Sequence, residues 1–267
     1  MSFRSWFPVL LAAALAVTLA FLVLPVVAIF AHTAPSQLIH SLSDPVATDA
    51  LALSLETTLI AIAVIVVVGT PAAYLLATRS FRGRSLVITL VELPLVLPPA
   101  VAGIALLAAL GPDGIVGGWL SDLHIELTLQ TAGVVVALMF VSAPFYLRQS
   151  QASFEAVDRP LLDAARTLGS GEAASFVRIA VPVALPGLLT GLALAWGRAL
   201  GEFGATLMFA GSFRGITQTV PLAIYDQFAT DFPAALALSA ILVAVSAGLL
   251  LAVKLVPGQA IVAGAAR

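Results

Sequence analysis

The chain has 267 residues, 61% of them apolar and 10% charged, with twelve basic side chains against fourteen acidic ones and a mean hydropathy of +1.10. Soluble domains carry about 25% charged residues. So few charges cannot cover a soluble surface, which excludes a soluble enzyme, a disordered chain and a nucleic-acid binder. Cysteine is absent, so there is no disulfide framework, thiolate metal site or thiol nucleophile.

A bilayer-crossing helix needs about 20 mostly apolar residues, and six segments meet that demand. The first, Phe7 to Ala31, carries no charge. Arg4 precedes it as in a signal peptide, but the apolar run exceeds the roughly 7–15 residues of a signal core, so it reads as a retained span. The second, Leu51 to Thr78, is interrupted only by Glu56, and the third, Ser85 to Leu110, only by Glu92. Leu127 to Leu147 is uncharged, Pro182 to Phe213 contains Arg198 and Glu202, and Phe232 to Val253 is again uncharged. Runs such as residues 59–68 do not alternate as barrel strands do. A helix satisfies its own backbone in lipid. The spacing predicts an all-α integral membrane protein of six transmembrane helices, a single permease-sized domain over residues 1–267. Prolines 71, 94, 98, 99 and 144 are expected either to kink these helices or simply to shape them.

The rare charges orient the map. Arg4, Arg79, Arg82, Arg84, Arg148, Arg159, Arg166, Arg178, Lys254 and Arg267 all fall on one side if the chain crosses six times, and only Arg214 falls on the other. That asymmetry puts both termini in the cytoplasm of a multi-pass protein of the cell (inner) membrane. The outer loops hold His32, His40 and His124, whose spacing matches no metal motif, so they read as solvated side chains. A phosphate-binding P-loop requires G-x4-G-K-[ST]. The only lysine, Lys254, lies between Val253 and Leu255, so this chain holds no such site.

The longest cytoplasmic segment, residues 148–181, is more than a loop. Asp158 can cap a helix with Pro160 in its first turn, Gly169 can end it, and Ser170 can cap a second helix that stops near Pro182. Within it, Asp163-Ala164-Ala165, three residues, Gly169, nine residues, then Ile179-Ala-Val-Pro182 resembles the EAA loop of ABC importer permeases, E-A-A-x3-G-x9-I-x-L-P. Asp163 stands for Glu and Val181 for Leu. The loop suits a lever that an ATPase can push: Ala164 and Ala165 permit close approach, Gly169 a tight exit, and Asp163 and Arg166 polar contacts at the rim. The other reading is an amphipathic hairpin lying on the lipid surface, although this helix has few of the aromatic and basic anchors expected of one.

The fifth span carries glycines at 187, 191, 197, 201 and 204, including the small-xxx-small pairs Gly187/Gly191 and Gly197/Gly201. Arg198 and Glu202 lie four residues apart, on one helix face, where a mutual pair lowers the cost of charge in lipid. They read either as lining the translocation path or a subunit interface, or as an internal clamp. Arg198-Ala-Leu-Gly-Glu-Phe-Gly-Ala-Thr206, Glu92-Leu-Pro-Leu-Val-Leu-Pro-Pro-Ala100 and Thr219-Val-Pro-Leu-Ala-Ile-Tyr225 resemble the molybdate and tungstate permeases, with sulfate permeases as relatives.

The resemblance implies a type I ABC importer permease, not an enzyme, with the coupling-helix loop between helices 4 and 5. It implies a homodimer with one pore at its two-fold axis, and an external binding protein that delivers the oxyanion. It also implies two ABC ATPase subunits, which use ATP and Mg while this chain binds no cofactor itself. Asp163, Ala164, Ala165, Arg166, Gly169, Ile179 and Pro182 would couple to the ATPase. Arg198, Gly201, Glu202, Gly204 and Thr206 would face the path or the dimer interface. Molybdate is the expected cargo, with tungstate and sulfate as alternatives. An ABC permease for another small solute, an ion-driven secondary transporter and an intramembrane enzyme are the competing readings. No second charged pair marks the other half, as a repeat-built transporter would show. No nucleophile–base set lies in a span, as an enzyme would need.

Overall fold

The computed structural model describes residues 6–255, so Arg4 and Arg267 of the charge map lie outside the described residues. Thirteen α-helices follow in chain order. The first seven are α1 (Trp6–His32), α2 (Pro35–Ser43), α3 (Pro45–Thr78), α4 (Arg84–Val96), α5 (Pro99–Leu110), α6 (Gly117–Asp122) and α7 (Thr131–Glu155). After them come α8 (Arg159–Thr167), α9 (Glu172–Ser175), α10 (Val181–Leu200), α11 (Gly204–Ala210), α12 (Val220–Phe228) and α13 (Phe232–Lys254). A π-helical turn, Phe176–Ala180, joins α9 to α10 without a break. No strand occurs among the described residues.

Five stretches are long and apolar enough to cross a membrane as single helices: α1, α3, α7, the continuous helix Glu172–Leu200, and α13. The expected third span is instead α4 and α5, bent by 119° at their junction. Pro94 falls inside α4, and Pro98 and Pro99 sit at the break, where two consecutive residues lack an N–H and cannot continue the helical ladder. The expected fifth span also ends early. Gly201 terminates α10, and a three-residue break precedes α11. By contrast Pro71 and Pro144 lie within helices that run on through them.

Ion pairs at the two ends of the bundle fix which end each break connects. At one end Arg79 Nη2 lies 2.5 Å from Glu172 and Arg84 Nη2 lies 2.8 Å from Glu155, which gathers the end of α3, the start of α4, the end of α7 and α9. At the other end Arg214 reaches Asp49 at 3.3 Å, and the Thr131 hydroxyl donates to the Ile216 carbonyl at 2.8 Å. The chain therefore leaves the first end at Arg84 and arrives at the second by Thr131. The bent pair α4–α5 makes one net crossing, and α10 with α11 makes another.

The core is built mainly of small and β-branched residues of α3, α7 and α10. Ile62 and Ile65 of α3 meet Tyr146 of α7 and Ala195 of α10. Tyr146 donates to or accepts from Thr70 at 2.7 Å, and Trp196 Nε1 donates to the Thr58 hydroxyl at 3.2 Å, tying α7 and α10 to α3. Gly187 and Gly191 do what the small-residue spacing predicts. A Cβ on Gly187 would collide with Ser153 Oγ, and one on Gly191 would lie 3.2 Å from Gln149 Cβ. Helix α1 stands apart: it runs beside α13 and buries none of its residues.

Candidate functional site

The first region is the hairpin outside the bundle. Leu162 and Ala165 turn inward, and Leu162 packs with Ala73, Phe154, Val157, Ala180, Ala184 and Leu188. Ile179 packs half-buried against the same group. Asp163, Ala164, Arg166, Thr167 and Leu168 face out, with Leu168 88% exposed. Arg166 Nη1 lies 3.3 Å from Asp163 on that outer face. The two alanines of the motif thus separate: Ala164 is on the surface, and Ala165 is buried.

Helix α8 ends as its sequence requires. Gly169 sits at φ +83°, a left-handed conformation that costs side chains with a Cβ about 1–2 kcal/mol. Ser170 N donates to the Ala165 carbonyl at 2.9 Å and Gly169 N to the Arg166 carbonyl at 3.0 Å, which is a Schellman ending. Three details differ from the sequence expectation. Asp158 occupies the N-cap position of α8, but its side chain makes no capping hydrogen bond. Gly171, not Ser170, is the N-cap of α9, and the Ser170 hydroxyl instead accepts from Ser175 Oγ at 3.2 Å. The second helix does not stop at Pro182. The π-turn places that missing N–H at the start of α10, where Val181 N bonds back to Phe176, and the helix continues. The hairpin is therefore rigidly continuous with the span that carries Arg198.

The second region is the break between α10 and α11. Arg198 Nη1 lies 2.5 Å from Glu202 Oε2, with the Glu202 side chain 1% exposed and that of Arg198 28% exposed. The other Glu202 oxygen accepts from Ala205 N at 2.6 Å, inside the first turn of α11. Glu202 thus neutralises Arg198 and caps α11 at once. A carboxylate at a helix start also meets the positive end of the helix dipole. Thr206 is fully buried behind it, and its hydroxyl makes no hydrogen bond.

Helix α11 packs on α5 backbone to backbone. A Cβ on Gly204 would lie 2.7 Å from Pro99 Cβ, and one on Gly103 would lie 2.6 Å from Met208 Cβ. The two broken spans therefore meet at their breaks. Gly197 and Gly201 differ from the first glycine pair: a Cβ on Gly197 meets nothing within 4 Å, and one on Gly201 meets only the Gly197 carbonyl at 3.7 Å. That pair does not serve helix packing within this chain. It leaves an open strip beside Arg198.

The structure adds partners that the sequence reading did not name. Glu92 of the third span pairs with Arg148 at 2.7 Å, and Trp196 holds α10 through Thr58. The signal for the first was present: a lone acid in a span demands a partner, and Arg148 directly follows the apolar run of α7. Glu56, the other lone acid, is exposed on α3.

An all-helical bundle with two spans broken at one crossing, and a rigid hairpin fixed to one of them at the arginine-rich end, has the architecture of a transport permease. The chain belongs to the family described as the binding-protein-dependent transport system inner membrane component, whose model matches residues 69–259. It is an ABC importer permease, an integral multi-pass membrane protein and not an enzyme. It is 38% identical to the probable transport system permease protein NifC of Clostridium pasteurianum, over 88% of this chain and 82% of that protein. It is 40% identical to the molybdenum transport system permease protein ModB of Mycobacterium tuberculosis, over 87% of this chain and 88% of that one. The probable sulfate transport system permease protein cysT of Nephroselmis olivacea is 33% identical over 87% and 84%. In fold it is similar to a chain of a bacterial alginate ABC transporter solved with an alginate pentasaccharide-bound periplasmic protein. That likeness has a TM-score of 0.75 at 17% identity, covering 94% and 93% of the two chains.

Proposed function

We propose that this chain moves molybdate into the cytoplasm by alternating access, as a homodimer with one pore. The observation that carries the cargo is the 40% identity to a molybdenum permease along nearly the whole of both chains. The 33% identity to a sulfate permease supports the wider class of tetrahedral oxyanion, with tungstate and sulfate as the alternatives. An external binding protein delivers the ion. Two ATPase subunits use ATP and Mg and dock on the outer face of α8.

The division of labour among the motif residues follows from where they point. Ala164, Asp163 and Arg166 form the surface offered to the ATPase. Ala165 is the buried side of α8, Ile179 packs against the group that holds Leu162, Gly169 sets the turn, and Pro182 with its π-turn transmits the movement into α10. Gly201 lies on the open strip beside Arg198, facing the path or the partner copy. Glu202 and Thr206 are the buried side of that wall, and Gly204, half-buried, packs on Pro99 of α5. Arg198 is electrically balanced by Glu202, so it offers a passing oxyanion a hydrogen-bond donor without a deep electrostatic trap. The arginine-rich end is the cytoplasmic one.

The test of the cargo is an affinity series of the cognate binding protein for molybdate, tungstate and sulfate. Molybdate bound more tightly than sulfate is the expected result, and the reverse order reassigns the permease. Orientation is tested by cysteines placed at Ser121 and Ser170, which should label from opposite faces of the membrane.

A further inference from the structure

Two glutamates bracket α8 along the chain: Glu155 closes α7 ahead of it, and Glu172 opens α9 after it. Two arginines bracket the turn between α3 and α4: Arg79 is the C-cap of α3, and Arg84 is the first residue of α4. The ion pairs cross from one turn to the other, Arg79 to Glu172 at 2.5 Å and Arg84 to Glu155 at 2.8 Å. The short α3–α4 turn is thus held at both of its ends by the two flanks of the hairpin.

From Glu155 the contacts run on along α7. Gln151 Nε2 donates at 2.9 Å to the Glu155 oxygen that Arg84 also meets, and Arg148 Nη1 donates to Gln151 Oε1 at 3.1 Å. Arg148 Nε then lies 2.7 Å from Glu92, about two turns into α4. Arg148, Gln151 and Glu155 are spaced i, i+3 and i+7, so they share one face of α7. Gln151 is 4% exposed and uses both ends of its amide, which links the two ion pairs on either side of it. Exposed pairs are weak singly, and pairs joined through a shared buried group act together.

These contacts seat α4, which packs on α7 yet buries none of its own residues within this chain. Apolar burial therefore does little to fix α4, and the charged rungs do it instead. Pro98 and Pro99 interrupt the helical ladder between α4 and α5, so α4 can tilt about that break. We propose that Arg79 and Arg84 are positioning residues that give the hairpin a second output. Displacement of α8 passes through Glu155 and Glu172 to the start of α4, while the π-turn passes it to α10. Both broken spans then respond to one push. The inference rests on the reading of α8 as the lever of the ATPase and is independent of the cargo.

The experiment uses the full-length chain in complex with its ATPase, carrying one introduced cysteine with an environment-sensitive fluorophore, since the chain has no cysteine of its own. Leu90→Cys reports on α4 and Leu194→Cys on α10, and both positions are exposed. Emission is read before and after ATP with vanadate. With both arginines in place, both positions are expected to shift. Arg79→Gln combined with Arg84→Gln is expected to shrink the shift at Leu90→Cys at least about fivefold, the lower end of a coupling between two sites. The shift at Leu194→Cys, co-purification of the ATPase and the thermal midpoint are expected to persist. Arg79→Lys combined with Arg84→Lys is expected to restore the response of α4, because the charges return. An undiminished shift at Leu90→Cys in the glutamine variant overturns the proposal and assigns the movement of α4 to the contact between α5 and α11. Equal loss at both positions overturns it as general damage. Silence at both positions with the arginines in place overturns the lever reading itself, and the proposal with it.

Discussion

The two arginine–carboxylate pairs spaced for one helix face show how much environment decides. Arg166–Asp163 on α8 and Arg198–Glu202 at the end of α10 look alike in sequence. The first is solvent-facing, with both side chains more than half exposed and 3.3 Å apart. Such a pair contributes about 0–1 kcal/mol. The second has its carboxylate out of solvent altogether, and that carboxylate also holds the backbone of the next helix. Removing one partner of a buried pair costs about 3–5 kcal/mol, because the other is left uncompensated. The surface pair is replaceable decoration of a docking face, and the buried one is a joint between two helix segments.

Substitutions test that contrast, beginning with the largest effect. Glu202→Ala strands Arg198 and uncaps α11, and should lower stability in detergent by about 3–5 kcal/mol, seen as a fall in the thermal midpoint. Arg198→Leu combined with Glu202→Gln should recover part of that loss, since glutamine still accepts from Ala205 N and no charge is left alone. A double variant as unstable as Glu202→Ala would break the joint reading.

The two glycine pairs give the next test. Gly187→Ala forces a methyl into Ser153 and should cost about 1–3 kcal/mol. Gly197→Ala meets nothing within the chain, so folding should be unharmed or favoured by up to about 1 kcal/mol from helix propensity. Lost transport with retained stability in Gly197→Ala places the open strip on the path or the dimer interface. Equal instability of both variants contradicts the difference in packing.

The hairpin variants follow. Ala164→Arg should abolish co-purification of the ATPase while leaving the thermal midpoint within about 0.5 kcal/mol of the unmodified chain, as surface changes do. Ala165→Arg should lower stability as well, because it forces a charge into a buried position. Gly169→Ala should cost about 1–2 kcal/mol through its positive φ. Asp163→Asn should lower the thermal midpoint by the equivalent of less than about 1 kcal/mol, as for any exposed pair.

Much of this organisation was legible in the residues. The four unbroken spans lie where their apolar runs do, with ends shifted by up to eight residues: Leu51 became Pro45, and Leu147 became Glu155. Hydropathy does not see caps. Asp44 caps α3 by accepting from Val46 N at 2.9 Å, and this extends the helix beyond its apolar stretch. The breaks were less legible, because a hydropathy sum is blind to direction. Residues 85–110, interrupted only by Glu92, and 182–213, interrupted only by Arg198 and Glu202, are each apolar enough to sum as one span, yet each contains a turn. The Pro98–Pro99 pair, expected either to kink its span or simply to shape it, and the Gly201–Gly204 stretch, read for its small-residue spacing, carried the signal for those turns. The inward and outward division of Ala164 and Ala165 was also hidden, since two adjacent alanines carry no amphipathic contrast of their own. The third difference concerns the glycine pairs. Spacing marks where helices can approach, and only the three-dimensional neighbours show that Gly187/Gly191 does so and Gly197/Gly201 does not.

The central claim is that this chain is the pore of an ATP-driven molybdate importer. The most direct test is uptake of labelled molybdate into proteoliposomes that contain the chain and its cognate ATPase, with the binding protein outside and ATP and Mg supplied to the ATPase face. Accumulation that requires ATP and disappears with Ala164→Arg is the predicted result. Uptake driven by an ion gradient without ATP or the ATPase would contradict it.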